Sequence, residues 1–231
     1  MQLLSLRNGF LALTLSAIAS GGGLITGCAS TASQNQSQAP NTTTSNANDK
    51  QMMNHGGGMN HSMGMDLGPA DANFDLRFID AMIPHHQGAV EMAKEAQQKS
   101  KRPEIKKLAD DIIKSQNQEI TQMKQWRKTW YPSAGDKPMA YNSQMGHMME
   151  MSSDQMQAMM MSQDLGAADA EFDLRFINAM IPHHEGAVTM AKDVLSKSKR
   201  PEVKQLAQEI IKAQNTEIKQ MQQWRKTWYN K

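Results

Sequence analysis

The 231-residue chain has one cysteine, Cys28, so it can form no internal disulfide and no Cys-x-x-Cys site. Any soft metal would have to be held by methionine and histidine, donors that survive an oxidising compartment better than an exposed thiolate. An excess of charge is missing as well. With 25 basic against 23 acidic residues, the chain lacks the balance of a nucleic-acid-binding protein. Its small basic groups, Lys99, Lys101, Arg102 and Lys197, Lys199, Arg200, read as solvated loops. No Glu-x-x-His occurs anywhere, which argues against the inward carboxylate–histidine pairs of a di-metal oxidase. The carboxylates near the conspicuous histidines in sequence are Asp80, Glu91 and Glu185.

Acid is also absent ahead of Asp49, where Arg7 precedes an apolar run from Phe10 to about Ile25. Gly21, Gly22 and Gly23 interrupt that run, and it is short for a spanning helix. It ends in Leu24-Ile25-Thr26-Gly27-Cys28, the pattern of a bacterial lipoprotein cleavage site. Residues 1–27 are therefore expected to be an export signal and Cys28 the lipidated N-terminus. The alternative is an uncut anchor in which Cys28 is an ordinary small residue. Residues 28–50 are dominated by Ser, Thr, Asn, Gln and Ala, offer nothing to bury, and read as a flexible tether. The expected location is periplasmic, lipid-anchored to a membrane, with the outer membrane preferred.

What the chain has in quantity is methionine, 21 residues, and duplication: residues 74–131 and 172–229 match at 43 of 58 positions, 98 apart. In the first copy Phe74, Phe78, Met82, His85, Ala89, Met92 and Ala96 recur at steps of three and four, which places them on one helix face. Asp71 is the expected N-cap, and Pro84 is expected to kink the helix just before the histidines. Pro103 suits the first position of a second helix. Along it Ile105, Leu108, Ile112, Gln116, Ile120, Met123, Trp126 and Trp130 share a face. One hairpin can bury such stripes on only one side, whereas two packed together close a core. The expectation is an all-α antiparallel four-helix bundle built from hairpins at 70–132 and 169–231. The Met-rich linker between them, 133–168, is expected to hold a short helix from near Ser153, ending near Gly166.

Each copy carries the same donors: Met82, His85, His86, Met92 and Met123, matched by Met180, His183, His184, Met190 and Met221. Imidazole with thioether suits copper better than calcium or magnesium. Adjacent helical residues lie about 100° apart, so His85 should face inward with Met82 and Met92 while His86 lies at the edge of that face. Met123, from the partner helix, could complete a site across the hairpin. Packing explains any one of these methionines taken singly. Two adjacent histidines after a proline, in both copies, favour metal.

Two further segments concentrate methionine. The Met/His/Gly-rich segment 51–69 includes His55, Met59, His61 and Met63, and its glycines argue against a stable helix. Residues 139–161 hold nine methionines with His147 beside Met148. Flexible thioethers can gather around Cu(I) or Ag(I), and histidine adds affinity for Cu(II). A promiscuous apolar surface, or a methionine-lined helix at 153–161 packed on the bundle, would explain residues 153–161 equally well.

The strings MIPHHQGAVEMA with QNQEITQMKQW, and MIPHHEGAVTMA with QNTEIKQMQQW, resemble the bacterial family called domain of unknown function 305 over about residues 70–231. That resemblance implies a ferritin-like four-helix bundle that binds copper in the periplasm and supports copper tolerance. Its metal-associated positions would be His85, His86, Met82, Met92 and Met123, with His183, His184, Met180, Met190 and Met221. The leading expectation is an exported protein that sequesters or passes on Cu(I) and Cu(II) without catalysis, with silver as a surrogate. Its expected partners are copper ions, a membrane through the lipid anchor, and a copper efflux or delivery protein, with no nucleic acid. A metal-free interaction module and a di-metal oxidase stand as rivals.

Overall fold

The computed structural model describes residues 66–231. The expected export signal, Cys28, the tether, and the donors His55, Met59, His61 and Met63 lie outside the described residues. In chain order the elements are α1 (Phe74–Lys99), α2 (Pro103–Trp130), β1 (Met139–Asn142), β2 (His147–Glu150), α3 (Ser153–Met160), α4 (Phe172–Lys197) and α5 (Pro201–Tyr229). The four long helices make the expected all-α bundle of two hairpins, α1 with α2 and α4 with α5, joined through α1 and α4. None of the described helices is long and apolar enough to cross a membrane.

Local chemistry sets the helix ends. Pro103 and Pro201 open α2 and α5, where a missing N–H costs nothing. Asp71 does not cap α1. Asn73 occupies that position without a side-chain cap, because the Asp71 carboxylate is taken by the Asn73 backbone N–H and by Arg77. Both α1 and α4 continue without a break through Pro84 and Pro182.

The repeat proves longer than its 58-residue match. Asp66, Leu67, Gly68 and Asp71 align with Asp164, Leu165, Gly166 and Asp169 at the same 98-residue offset. Leu67 and Leu165 are buried, and their carbonyls accept Arg77 Nε at 2.6 Å and Arg175 Nε at 2.7 Å. Gly68 and Gly166 turn the chain at φ +75° and +74°, values that favour glycine.

The hairpins pack head to tail, so the core falls into two lobes. One lobe joins Met92, Ala96, Ile105 and Ile112, from the loop end of the first hairpin, to Phe172, Phe176, Met180 and Met221 from the open end of the second. The other reverses the roles, joining Phe74, Phe78, Met82 and Met123 to Met190, Val194, Val203 and Ile210.

Reciprocal clasps across the ends mark an approximate two-fold. Arg102 meets Asp173 at 3.4 Å and lies 4.2 Å from the Trp228 ring, while Arg200 meets Asp75 at 3.6 Å and lies 4.2 Å from Trp130. Lys99 and Lys197 donate to the carbonyls of Gly166 and Gly68. The basic loops thus tie one hairpin to the other, and solvation alone does not account for them.

The linker is more ordered than its composition suggests. β1 and β2 pair antiparallel, Met139 opposite Glu150 and Asn142 opposite His147, an element the methionine content had hidden. Ser152 and Gln155 form a reciprocal capping box at the start of α3. The helix stops at Met160, with Met161 at φ 48°, well short of Gly166. Met151 and Met159 are buried, whereas Met145 is 62% exposed.

Candidate metal centre

A polar layer separates the two apolar lobes, and the histidines form it. Because α1 packs against α2 on one side and α4 on the other, its two adjacent histidines both find protein around them. His85 turns to the opposite hairpin, where its ring centroid lies 3.9 Å from that of His183. His86 turns to α2, and its Nε2 donates to Glu119 Oε2 at 2.6 Å. The second hairpin repeats this contact, His184 Nε2 to Glu217 Oε2 at 2.6 Å. All four rings are essentially inaccessible. His86 is therefore not at an exposed edge, since the hairpin partner covers the face that the single-helix wheel left open.

The carboxylates that meet the histidines are thus Glu119 and Glu217. Asp80 is engaged by Arg127 at 2.5 Å, and Glu91 and Glu185 are exposed. The available signal was spacing: Glu119 and Glu217 stand three residues after the inward Gln116 and Gln214, within one helical turn of that face.

Burial, followed by the charges of neighbouring histidines, holds His85 well below the ordinary imidazole range. His183 is lowered to about 3, by burial first and by His184 next, although the Met160 carbonyl opposes the shift. Both rings are neutral at pH 7, the form with a lone pair to offer a metal. His183 Nε2 donates to Met160 O at 3.0 Å, which leaves its Nδ1 free. Both nitrogens of His85 and Nδ1 of His86, His183 and His184 are buried without a hydrogen-bond partner among the described residues, as are Oε1 of Gln116 and Gln214. Each such group costs about 1–3 kcal/mol, and a native fold carries few of them.

The methionines divide across this layer. Met82 and Met92 are ten residues apart, about 15 Å along a helix, so Met123 stands with only one of them, Met82. Met82 and Met123 share a lobe with Met190 and with Met159 of α3, and Met92 shares the other with Met180 and Met221. Each group draws thioethers from both hairpins. Among the described residues no three His, Cys, Asp or Glu side chains form a ready metal cage, so the donors gathered here are imidazole and thioether. His147 and Met148 are adjacent on β2 and so point to opposite faces of the strand. The structure does not bring them together.

The family described as "Domain of unknown function (DUF305)" matches residues 24–127 and 75–225. CopM in the Cu(II)-bound form is 42% identical, with 67% of this chain and 97% of CopM covered and a TM-score of 0.54. CopM in the Cu(I)-bound form (41%, TM-score 0.52) and in the Ag-bound form obtained by soaking (39%, TM-score 0.53) match over the same shares. The uncharacterized protein L153 of Acanthamoeba polyphaga mimivirus is 47% identical over 49 residues, 21% of this chain, which spans about a third (32%) of the length of that viral relative. The chain belongs to the family described as domain of unknown function DUF305.

Proposed function

We propose that this protein is an exported copper-binding protein that sequesters or hands on Cu(I) and Cu(II), anchored through lipid on Cys28 and without catalysis of its own. The observation that carries the reading is the set of five buried imidazole nitrogens with no partner, lying between two thioether-rich lobes. Neutral imidazole and thioether are the donors a soft ion prefers, and an ion among them would satisfy polar atoms the fold leaves stranded. His85, His86, His183 and His184 are the proposed nitrogen ligands. Met82, Met123 and Met190 would serve one lobe, and Met92, Met180 and Met221 the other. His55, Met59, His61, Met63, His147 and Met148 are proposed as outer capture donors. The solved copper and silver forms of CopM, at 42% and 39% identity, support the same reading.

The test is titration of the purified chain with Ag(I) and Cu(I) against a competing chelator. Affinity tighter than micromolar is expected. In a chain carrying His85→Phe and His183→Phe, which keeps an aromatic ring at each position and removes the nitrogen donors, fewer ions should bind while far-UV circular dichroism is retained. Wild-type affinity no tighter than micromolar refutes the copper reading.

A further inference from the structure

His86 and His184 are completely buried, and each donates from Nε2 to a carboxylate that is itself only 18% or 17% exposed. A neutral imidazole carries one proton, so a ring that gives its Nε2–H to a carboxylate keeps Nδ1 as a bare lone pair. In both rings that Nδ1 is buried with no partner. The arrangement matches the carboxylate–histidine pairs that orient metal-bound imidazoles and raise their basicity. A buried cation also requires negative charge close by. Asp80, the fully buried carboxylate of α1, already serves Arg127, and Asp75 and Asp173 lie at the clasped ends of the bundle. Among the described residues, Glu119 and Glu217 are the carboxylates in contact with the histidine layer.

We propose that Glu119 and Glu217 are positioning residues: each fixes its histidine with Nδ1 as the metal-facing donor and supplies one negative charge to one soft monovalent cation, giving two such sites, one per repeat. The inference rests on the copper reading above and adds to it the donor atom, the charge and the count. One carboxylate balances one monocation, whereas a divalent ion among neutral imidazoles and thioethers would remain half compensated.

Imidazole 15N NMR of the full chain without metal gives the first test. His86 and His184 are expected as Nε2–H tautomers, and an Nδ1–H tautomer at both overturns the proposal with no substitution needed. The second test is silver-ion competition on the full chain carrying Glu119→Gln and Glu217→Gln. Affinity should fall about 10–100-fold, with wild-type helicity and a shifted tautomer signal, while Glu91→Gln with Glu185→Gln, at exposed positions, should change nothing. Two silver ions at the histidine layer of the wild type are expected, and a different number there overturns the one-per-repeat assignment. Wild-type affinity in the Glu119/Glu217 variant defeats the positioning role but leaves the copper reading intact. Failure of the unsubstituted chain to bind silver defeats both.

Discussion

The two hairpins share 43 of 58 residues, yet the same side chains meet different neighbours. The linker folds back onto one of them, with β1 and α3 both packed on α1. Pro84 is buried and its twin Pro182 exposed. Asp80, 2% exposed, takes Arg127 and the backbone N–H of Met139, whereas exposed Asn178 meets Arg225 at only 3.3 Å and leaves Arg225 Nε unpartnered. His183 is held by the Met160 carbonyl while His85 has no partner. Duplicating a sequence therefore does not duplicate an environment. The four histidines are two pairs by ancestry and at least three kinds by surroundings.

The largest effect that would break this comparison is acid. His183 has a folded value near 3 against about 6.5 unfolded, and His85 is displaced the same way. The unfolded chain thus binds more protons through this interval. Stability of the metal-free protein should fall as pH drops from 6.5 toward 3, by up to about 1.4 kcal/mol per pH unit for each buried ring. Asp80, raised by burial despite Arg127, works in the opposite sense at the acid end, because its folded form takes up a proton first. Urea unfolding at a series of pH values, with and without His183→Phe, checks the slope; a slope unchanged by that substitution would rule out His183 as its source.

Next in size is Gly88→Ala. A Cβ there would lie 1.8 Å from the Met160 carbonyl oxygen, and backbone cannot yield as a flexible side chain can. The substitution should push α3 off α1, expose Met159 and break the bond to His183, at a cost of about 3 kcal/mol. Thermal melting gives the loss, and the His183 15N signal shows whether the Met160 contact is gone.

The smallest effects come from exchanging Asp80 and Asn178, one of the aligned pairs at which the repeats differ. Asp80→Asn should destabilise by roughly 2 kcal/mol, because it leaves Arg127 without its buried carboxylate. Asn178→Asp should stabilise by about 0.5 kcal/mol, since its ion pair with Arg225 would sit near water. Equal and opposite changes in urea midpoint would mean the two sites are alike after all.

The helices were legible because their apolar stripes repeat at 3.6 residues and Pro103 and Pro201 mark where the second helix of each hairpin begins. His85 was rightly placed inward by the same periodicity. What could not be read was how two stripes meet. Head-to-tail packing sends Met92 to Met180 and Met221 rather than to Met82 and Met123, and nothing local to either hairpin encodes that. His86 looked peripheral because a helical wheel has no α2 in it. Glu119 and Glu217 escaped notice because they lie 33 residues from their histidines. The β1–β2 hairpin was masked by methionines that carry no alternating pattern.

The clasps at the two ends, Arg102 on Trp228 and Arg200 on Trp130, bind each half of the chain to the far end of the other. Neither half can let go alone, so melting should sweep through the whole bundle as a single event. One copy of the repeat would leave its stripe uncovered, and the linker keeps the second copy always at hand within one polypeptide.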